Sequence, residues 1–424
     1  MARAKSDGRL PSLADAEWLT RPQARAVFAA LTAEGAEARA VGGAVRNALM
    51  GSPVKDVDIA TTALPNEVMR LAELAGLHPV PTGIEHGTVT VVADKVPFEV
   101  TTLRRDIETF GRHAKVTFAT DWREDAMRRD FTMNALYCDA DGTVHDPLGG
   151  YGDLQAKRVR FIGNARQRIR EDYLRILRFF RFGAQYGDAE APDADGLAAV
   201  ADEKAGLSLL SGERIRAELL LLLAAPGAVP ALRAMRGSGI IEPLLGVEGN
   251  VELVERLTAI EQALGRAPEP LVRLAALASG TREDLRERLR LSTAEGDRLA
   301  NADRRDDAFD PRTEEAAAKS FIYRHGAQTF TDGALIDWAR SSDGLRDTAR
   351  AARVTLPARW TAPQLPVRGA DVVALGVDAG PAVGRVVADF EKWWIAAGFP
   401  DEAARVRDKL EELARGELQA RRDA

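Results

Sequence analysis

Strand-like patterns occupy only the first two-fifths of this 424-residue chain, and this asymmetry constrains the fold more than any other feature. Up to about Gln155, helical patterns such as PQARAVFAALTAEG alternate with β-rich runs such as EARAV, VKDVDIAT, GTVTVVA and PFEVTTL. Beyond Gln155 the apolar periodicity is helical almost throughout, as in EDYLRILRFFRFGAQYG and SGERIRAELLLLLAAPG. The pattern predicts an α+β head followed by a helical remainder.

The length and composition indicate several domains in a reducing compartment. One hydrophobic core rarely grows past roughly 250–300 residues, so a chain of this length is expected to divide. No apolar run approaches the about 20 residues that span a membrane, and we predict no membrane association. The one cysteine, Cys138, excludes an intramolecular disulfide and favours a cytoplasmic location. We interpret Cys138 as a small buried hydrophobe.

The net charge of −6 argues at first against a nucleic-acid partner. Between Arg104 and Arg181, however, 16 Lys and Arg residues outnumber 12 Asp and Glu residues. A locally basic band in an acidic protein is compatible with binding a phosphate backbone, although a solvated helix face has the same composition.

A pair of glycines and a pair of aspartates lie close together in the head. Gly42 and Gly43 lie at a predicted strand-to-helix junction, where glycine lets backbone N–H groups approach a phosphate. Asp56 and Asp58 are two residues apart on a predicted strand, so their side chains are expected on one face. Adjacent carboxylates repel each other unless a cation lies between them, and oxygen ligands suit Mg²⁺. The two pairs together predict a metal and triphosphate site for in-line attack by a hydroxyl.

A third carboxylate, Glu99, lies in PFEVTTL, which is otherwise typical of a β-strand. A charge in an apolar run needs a reason, and we expect Glu99 to complete the acidic cluster. The alternative is that Glu99 pairs with Arg104 or Arg105.

An ordered series of motifs from Val41 to Glu218 carries a family resemblance. The motifs are GGAVRNALMGSPVKDVDIATTA, EVTTLRRDIETFGRHAKVTF, RRDFTMNAL, HDPLGGYGDLQAKRVRFIG, EDYLRILRFFRF and LSGERIRAEL. They resemble the class II tRNA nucleotidyltransferase and bacterial poly(A) polymerase family, within the polymerase-beta-like superfamily. The resemblance implies a polymerase-beta-like mixed-sheet head followed by an all-helical neck, body and tail. It divides the chain into a leader (1–20), head (21–150), neck (151–220), body (221–300) and tRNA-binding tail (301–424).

The resemblance also implies roles for the residues around the first motif. Asp56 and Asp58 would bind two Mg²⁺ ions, with Glu99 as the third catalytic acid. The triphosphate would be held by Gly42, Gly43 and Arg46. One departure from the family is Asn47, which stands where GGxVRD usually has Asp. Since this position is not a metal ligand, the change bears on local helix packing rather than on activity.

The later motifs are expected to recognise the nucleotide. RRDFTMNA resembles the motif that contacts the ribose and nucleotide, through Arg128, Arg129, Asp130 and Asn134. Asp130 can accept a hydrogen bond from the sugar 2′-OH. In EDYLR, Asp172 and Arg175 would share one helix face and read the base, since their donors and acceptors can match cytosine and adenine. A plain intrahelical ion pair is the alternative. Further nucleotide or RNA contacts are expected from Arg178 and Arg181.

The polar segment 105–126 resembles the family's flexible loop, which helps the site change from C to A addition. His113 lies in this segment without the partners that a metal site needs. The interval GLHPVPTGIEHGTVTVV lacks the basic GRRF-like stretch of bacterial poly(A) polymerases. CC-adding enzymes usually lack an intact loop. These features favour CCA addition, with poly(A) polymerase or CC addition as alternatives.

The resemblance implies tRNA as the partner, bound at its acceptor stem and elbow, and CTP and ATP as substrates; we infer no protein partner. A single histidine follows His145, so a C-terminal His-Asp phosphohydrolase site is excluded. Near the end, Gly369, Gly376, Gly380 and Gly384 resemble a family element whose tight turns approach RNA. A helix-loop-helix packing element is the equal alternative.

Overall fold

The computed structural model describes residues 10–110, 113–280 and 283–422. The chain forms two compact units. The first comprises Met1–Val251 with Glu283–Leu291, and the second comprises Glu252–Arg282 with Ser292–Ala424.

The strands of the described chain all lie in the first unit. They are β1 (Ala38–Val41), β2 (Asp58–Thr61), β3 (His78–Gly83), β4 (Thr88–Ala93), β5 (Val96–Thr102), β6 (Arg104–Phe110), β7 (His113–Phe118), β8 (Tyr137–Cys138) and β9 (Val144–His145). Seven form one sheet in the order β3-β4-β5-β2-β1-β8-β9, and β6 pairs with β7 separately. The pairing of β2 with β5 is parallel and the other pairings are antiparallel, so the head has the predicted mixed sheet.

The helices follow the chain in this order: α1 (Glu17–Thr20), α2 (Pro22–Thr32), α3 (Gly43–Leu49), α4 (Pro65–Leu74), α5 (Trp122–Met127), α6 (Gly150–Gln155), α7 (Ala165–Glu171), α8 (Leu174–Tyr186), α9 (Ala194–Asp202), α10 (Gly212–Ala224), α11 (Ala228–Gly237), α12 (Ile241–Leu245), α13 (Val251–Ala263), α14 (Pro270–Leu277), α15 (Glu283–Arg288), α16 (Thr293–Ala302), α17 (Glu315–His325), α18 (Ala327–Arg340), α19 (Thr348–Val354), α20 (Leu356–Arg359), α21 (Gly369–Ala374), α22 (Pro381–Ala396) and α23 (Ala403–Arg422). Short 3₁₀ turns occupy Ile84–His86, Thr132–Asn134, Lys204–Leu209 and Asp307–Phe309. The α+β head and helical remainder are confirmed. No described helix is both long and apolar enough to cross a bilayer.

The central strands bring the two halves of the first motif together. In β2 only Asp58, at the start of the strand, is exposed, and the three residues after it are buried, as expected for a central strand covered on both faces. Asp58 is in register with Val41 of β1 and with Glu99 of β5. The end of β1, which leads into the glycine pair, therefore lies beside the start of β2 and its carboxylate.

Several local predictions need correction. The flexible leader 1–20 is only partly outside the described residues; its end forms α1, whose Trp18 and Leu19 are buried because they are large and apolar. Segment 105–126, predicted as a loop, forms most of the β6–β7 hairpin and α5, with His113 in β7. The strand β3 was missed because its two prolines, Pro79 and Pro81, argue against a strand. Cys138 is buried, as expected.

The second unit is helical and has its own apolar core. One cluster of buried residues joins α21, α22 and α23, with Val372, Phe390 and Trp394 at its centre. In the glycine element, Gly376 and Gly380 have positive φ angles of 92° and 146° and make turns. Gly369 and Gly384 instead lie in α21 and α22, so they do not make the predicted turns. The division into neck, body and tail stays a prediction.

Candidate active site

The glycine pair forms a sharp turn between β1 and α3. Gly42 is buried and has a φ of 68°, a conformation that strains residues with a side chain. Its N–H donates to the Leu136 carbonyl at 3.2 Å, and its carbonyl accepts from the N–H of Arg46 at 3.0 Å. The turn therefore directs the start of α3 toward the space beside Asp58, as the sequence predicts.

The acidic residues converge next to this turn. Asp56 and Asp58 are exposed while Val57 between them is buried, so the two carboxylates lie on one face. The strand itself begins only at Asp58, which corrects the prediction that both aspartates lie on it. Burial of one side of the carboxyl group and the nearby charges of Glu99 and Asp56 raise the pKa of Asp58, against the opposing effect of Arg129.

The set of carboxylates formed by Asp56, Asp58 and Glu99 suits a divalent cation. Within the described ranges, no three or more His, Cys, Asp and Glu side chains are arranged to hold a metal by themselves. Mg²⁺ is commonly bound by one or two carboxylates together with substrate phosphates, so two aspartates suffice. Burial is the main cause of the raised pKa of Asp58, and the negative charges of Glu99 and Asp56 add to it. A cation would relieve the repulsion between these charges.

Glu99 lies next to Asp58 without the arginine partner considered for it. Arg104 donates to the His86 carbonyl, and Arg105 lies 3.9 Å from Glu124. The register of β2 and β5 instead pairs Glu99 with Asp58. The alternative of an ion pair with Arg104 or Arg105 is therefore not what the structure shows.

An open pocket of about 440 Å³ extends from Asp58 to the helices α8 and α10. It is lined by Gly42, Gly43, Arg46, Asp58, Arg129, Asp130, Asn134, Asp172, Leu174, Arg175, Arg178, Phe182 and Arg214. Most of the predicted site residues thus meet in one cavity. Four of them do not line it, namely Asp56, Glu99, Arg128 and Arg181.

Asp130 is the centre of a buried hydrogen-bond network. Its Oδ1 accepts from the N–H of Phe131 and from Asn134 Nδ2, both at 2.8 Å, and its Oδ2 accepts from Arg178 Nε at 2.8 Å. Burial alone would raise the pKa of Asp130, but these donors and the charge of Arg178 outweigh burial and lower it. Asp130 is therefore ionised and held rigidly.

Arg181 and Glu218 extend this network away from the pocket. Glu218 Oε2 accepts from Arg181 Nε at 2.5 Å, and Glu218 Oε1 lies 3.5 Å from Arg178. All of these contacts lie between α8 and α10, so they hold Arg178 in place over Asp130.

A second buried carboxylate, Asp125, was missed by the sequence analysis. It accepts from Arg128 Nε at 2.8 Å, from Arg129 Nη2 at 2.9 Å and from the Tyr137 hydroxyl at 2.8 Å. Burial opposes ionisation of Asp125, but the two arginines and Tyr137 lower its pKa to about 2. Asp125 therefore orients Arg129 toward the pocket. Its position three residues before Arg128, with a helical pattern, was the available signal.

The predicted base-reading pair is arranged differently from the prediction. Asp172 is not helical; it has an extended backbone in the break between α7 and α8. Its Oδ1 accepts from the N–H of Leu174 at 3.1 Å, so the side chain replaces a helical backbone partner. The ring of Tyr173 fills the space where a side chain on Gly206 would lie, which also favours the break.

Asp172 and Arg175 do not pair with each other's side chains. Asp172 Oδ2 accepts from Arg214 Nη2 at 2.7 Å, whereas Arg175 Nη1 donates to Glu171 Oε2 at 2.8 Å and to the Arg168 carbonyl at 2.7 Å. The intrahelical ion pair considered as an alternative is therefore absent between these two described residues. Arg214, in the motif LSGERIRAEL, is a pocket residue that sequence reasoning did not single out.

Arg46 lies in the pocket wall and is almost fully buried, at 5% exposure. Its Nη1 donates to Asn134 Oδ1 at 2.5 Å, and its Nη2 donates to Asn47 Oδ1 at 2.8 Å. Its guanidinium lies 3.8 Å from the centre of the Tyr186 ring. Burial lowers the pKa of Arg46, since its partners are neutral.

Comparison with known proteins agrees with this geometry. The family described as poly A polymerase head domain matches residues 38–160, and the probable RNA and SrmB-binding site of polymerase A matches residues 192–247. The mitochondrial CCA tRNA nucleotidyltransferase 1 of Mus musculus is 35% identical over 86% of this chain and 84% of its own. The chain belongs to the CCA-adding enzyme family.

Other members of the CCA-adding family are similar over most of their length. The CCA-adding enzyme of Limosilactobacillus fermentum is 31% identical over 87% of this chain and 91% of its own. The crystal structure of the Bacillus stearothermophilus CCA-adding enzyme in complex with CTP has a TM-score of 0.75 and 28% identity, covering 94% of this chain and all of that one. Membership of this family implies the use of a divalent metal.

Proposed function

We propose that this chain adds CCA to the 3′ end of tRNA without a nucleic-acid template, using CTP and ATP and releasing diphosphate. One observation carries the proposal. The pocket joins a carboxylate of the metal site, Asp58, to a second set of charged side chains, Asp172 and Arg175, in one cavity. A metal site alone supports nucleotidyl transfer in general; a second polar wall supports selection of the base by protein groups. The names of the similar proteins point to the same activity.

At the end of the pocket near Asp58, we assign Asp56 and Asp58 to the binding of two Mg²⁺ ions. Glu99 would be the third catalytic acid beside them. When bound, the ions supply neutralisation of the phosphates and activation of the attacking 3′-hydroxyl. The chain's own contribution is to hold the triphosphate. Its donors there would be the N–H of Gly43 together with Arg46 and Arg129, while Gly42, whose N–H donates to the Leu136 carbonyl, shapes the turn that brings them together.

We assign Asn134 and Asp130 to binding of the ribose. Arg128 would support its neighbour Arg129. Asp130 already accepts four hydrogen bonds from three protein residues. A 2′-hydroxyl would therefore share Asp130 with Arg178 or bind through Asn134. This arrangement favours a rigid wall that excludes water from one side of the sugar.

At the base, Arg175 and Asp172 present donors and acceptors from a fixed break between two helices. Cytosine offers acceptors at O2 and N3 and an amino donor, and adenine offers an N1 acceptor and an amino donor. Guanine and uracil reverse part of this pattern, so an Arg–Asp combination favours C and A. Because Asp172 pairs with Arg214 and Arg175 with Glu171, reading a base requires these partners to be shared or exchanged. Arg178 and Arg181 would then support the nucleotide from α8.

The function is tested with tRNA that ends before CCA, offered each nucleoside triphosphate singly and in mixtures. Growth by three residues that then stops, with CTP and ATP both required, is the expected result. Open-ended growth with ATP alone would overturn the proposal in favour of poly(A) polymerase, and a halt after two residues would indicate CC addition. The Asp56→Ala variant is the control: an RNA-binding module would keep tRNA binding as its function, whereas an enzyme loses incorporation.

The remaining assignments concern the rest of the chain. We propose that the helical residues beyond the head grip the tRNA acceptor stem and elbow, with neck, body and tail divided at residues 220 and 300. We also propose a cytoplasmic location, supported by the single buried cysteine, Cys138. The similar vertebrate proteins carry mitochondrial names, so fractionation of the native cells is the measurement that decides the compartment.

A further inference from the structure

Arg46 is a buried cation whose hydrogen-bond partners are all neutral. The guanidinium donates to the amide oxygens of Asn134 and Asn47 and stacks on Tyr186. Within residues 10–110, 113–280 and 283–422, no carboxylate lies within ion-pair distance of Arg46. A buried guanidinium without a carboxylate is costly unless an anion joins it.

Asp130, whose charge acts on Arg46, and the nearby Glu218 of the same network are already engaged by other arginines. Asp130 is paired with Arg178 at 2.5 Å, and Glu218 is paired with Arg181 at 2.5 Å. Of the three arginines Arg46, Arg178 and Arg181, only Arg46 has no carboxylate within ion-pair distance in the described ranges. The positive charge of Arg46 is therefore balanced by no direct ion pair.

Asn47 is one of the two amide side chains that accept hydrogen bonds from the Arg46 guanidinium. Its Oδ1 accepts from Arg46 Nη2 at 2.8 Å and Nε at 3.2 Å, while its Nδ2 donates to the Pro53 carbonyl at 3.2 Å. The two contacts define the amide orientation, because only an oxygen can face the guanidinium and only an N–H can face the carbonyl. An aspartate here would keep the contact with Arg46 but would neutralise it.

We propose that Asn47 determines the strength of polyphosphate binding, by solvating Arg46 without neutralising it. The charge that Arg46 retains attracts the phosphates of the incoming nucleotide, whatever its base. This inference rests on the proposed assignment of Arg46 to the triphosphate. It makes Asn47 a positioning residue, since it acts through Arg46 and not on the substrate.

The test is the affinity of the Mg²⁺-loaded protein for CTP and for ATP without tRNA, measured by calorimetry at several salt concentrations. Asn47→Asp is expected to weaken both nucleotides about tenfold, equal to about 1.4 kcal/mol, and to make binding less salt-dependent. Asn47→Ala adds no negative charge and is expected to bind within about threefold of the parent. Asn66→Asp, the same change at an exposed position of α4, is the matched control and should bind unchanged.

A double-mutant cycle shows whether Asn47 acts through Arg46. Arg46→Gln alone should weaken binding, and adding Asn47→Asp to it should weaken binding no further. Thermal unfolding gives a second readout: Asn47→Asp should be at least as stable as the parent, because it pairs a buried cation. Three outcomes would each overturn the proposal. The affinity of Asn47→Asp for both nucleotides could be unchanged, Asn47→Asp could lose CTP binding but keep ATP binding, or the effects of the two substitutions could be additive in the cycle.

The same variants separate this inference from the proposed function. If the parent protein fails to extend tRNA, the function is wrong, yet the nucleotide affinities still decide the role of Asn47. If the parent adds CCA, Asn47→Asp should raise KM for CTP and ATP alike with a smaller change in kcat.

Discussion

Two groups of carboxylates in the first unit differ in what compensates their charge. Asp56, Asp58 and Glu99 lie exposed beside one another, with no ion pair to a lysine or arginine in the described chain, and the pKa of Asp58 is raised. Asp125 and Asp130 are buried and bonded to arginines, and their pKa values are lowered. The first group has no cationic side chain paired with it among the described residues, and we have proposed that a divalent cation binds there. The second is complete within the protein and serves to orient its arginines.

The largest expected effect comes from removing a charge in the first group. Asp58→Asn should reduce incorporation of CMP into tRNA at least about a thousandfold, because about 4 kcal/mol of metal-dependent stabilisation is lost. Single-turnover extension of tRNA lacking CCA measures this. Thermal stability should not fall, because the substitution removes one of several neighbouring negative charges. The matched control is Asp195→Asn, at an exposed position in the first turn of α9, which should extend normally. If Asp58→Asn keeps a tenth of the parent's rate, the metal assignment is wrong.

Removing a charge in the second group should act first on stability. Asp125→Asn leaves Arg128 and Arg129 without their carboxylate and is expected to cost about 3 kcal/mol in the free energy of unfolding. Urea denaturation measures it, and KM for the nucleotide should rise because Arg129 is released. Asp202→Asn breaks the exposed pair with Arg166 and should cost about 1 kcal/mol or less. Equal costs for the two variants would contradict the distinction between buried and exposed pairs.

Asp172 pairs with an arginine yet lies in the pocket, so it combines features of both groups. Arg214→Ala frees Asp172 and should lower discrimination of CTP over UTP about tenfold, or about 1.5 kcal/mol, the value of one hydrogen bond to a charged group. Competition between CTP and UTP for incorporation into tRNA lacking CCA measures this discrimination. Arg216→Ala removes an arginine of the same helix that does not line the pocket and serves as the control. Unchanged selectivity in Arg214→Ala would show that Arg214 does not position Asp172.

The smallest effect is the order in which the two groups take up protons. In metal-free protein, carbon NMR of labelled aspartates should show Asp58 protonating at a higher pH than Asp125. Adding Mg²⁺ should lower the midpoint of Asp58 and leave that of Asp125 unchanged, because protons and metal compete only at Asp58. If the titration midpoint of Asp58 did not change on addition of Mg²⁺, the proposed cation site would be wrong.

The signs of the two pKa shifts give opposite dependences of stability on pH. The pKa of Asp125 falls from 3.8 to about 2, so its contribution to stability is present above about pH 4 and is lost as the pH falls toward 2. The pKa of Asp58 is raised, so in the absence of metal the folded state gains stability as the pH falls through it.

Local patterns predicted most elements of the head because hydrophobic periodicity and turn-forming residues are properties of short stretches of sequence. The helix Pro22–Thr32, the hairpin of β4 and β5 and the turn at Gly42 follow from alternation, helical spacing and glycine. The break at Asp172 was missed because the surrounding residues favour a helix. At this break the Asp172 side chain accepts from the Leu174 N–H and Tyr173 packs on Gly206, and both contacts depend on the fold and not on local periodicity.

The sequence by itself determined the α+β order, the glycine turn and the family, and it named ten of the residues that line the pocket, since these depend on residue type and spacing. The tertiary structure decided the partners of the charges. Asp172 pairs with Arg214 from 42 residues away and Asp130 with Arg178 from 48 residues away, whereas Arg46 pairs with no described carboxylate. Charge pairing depends on distances across the fold, and residues equally spaced in sequence can be brought together or kept apart by it.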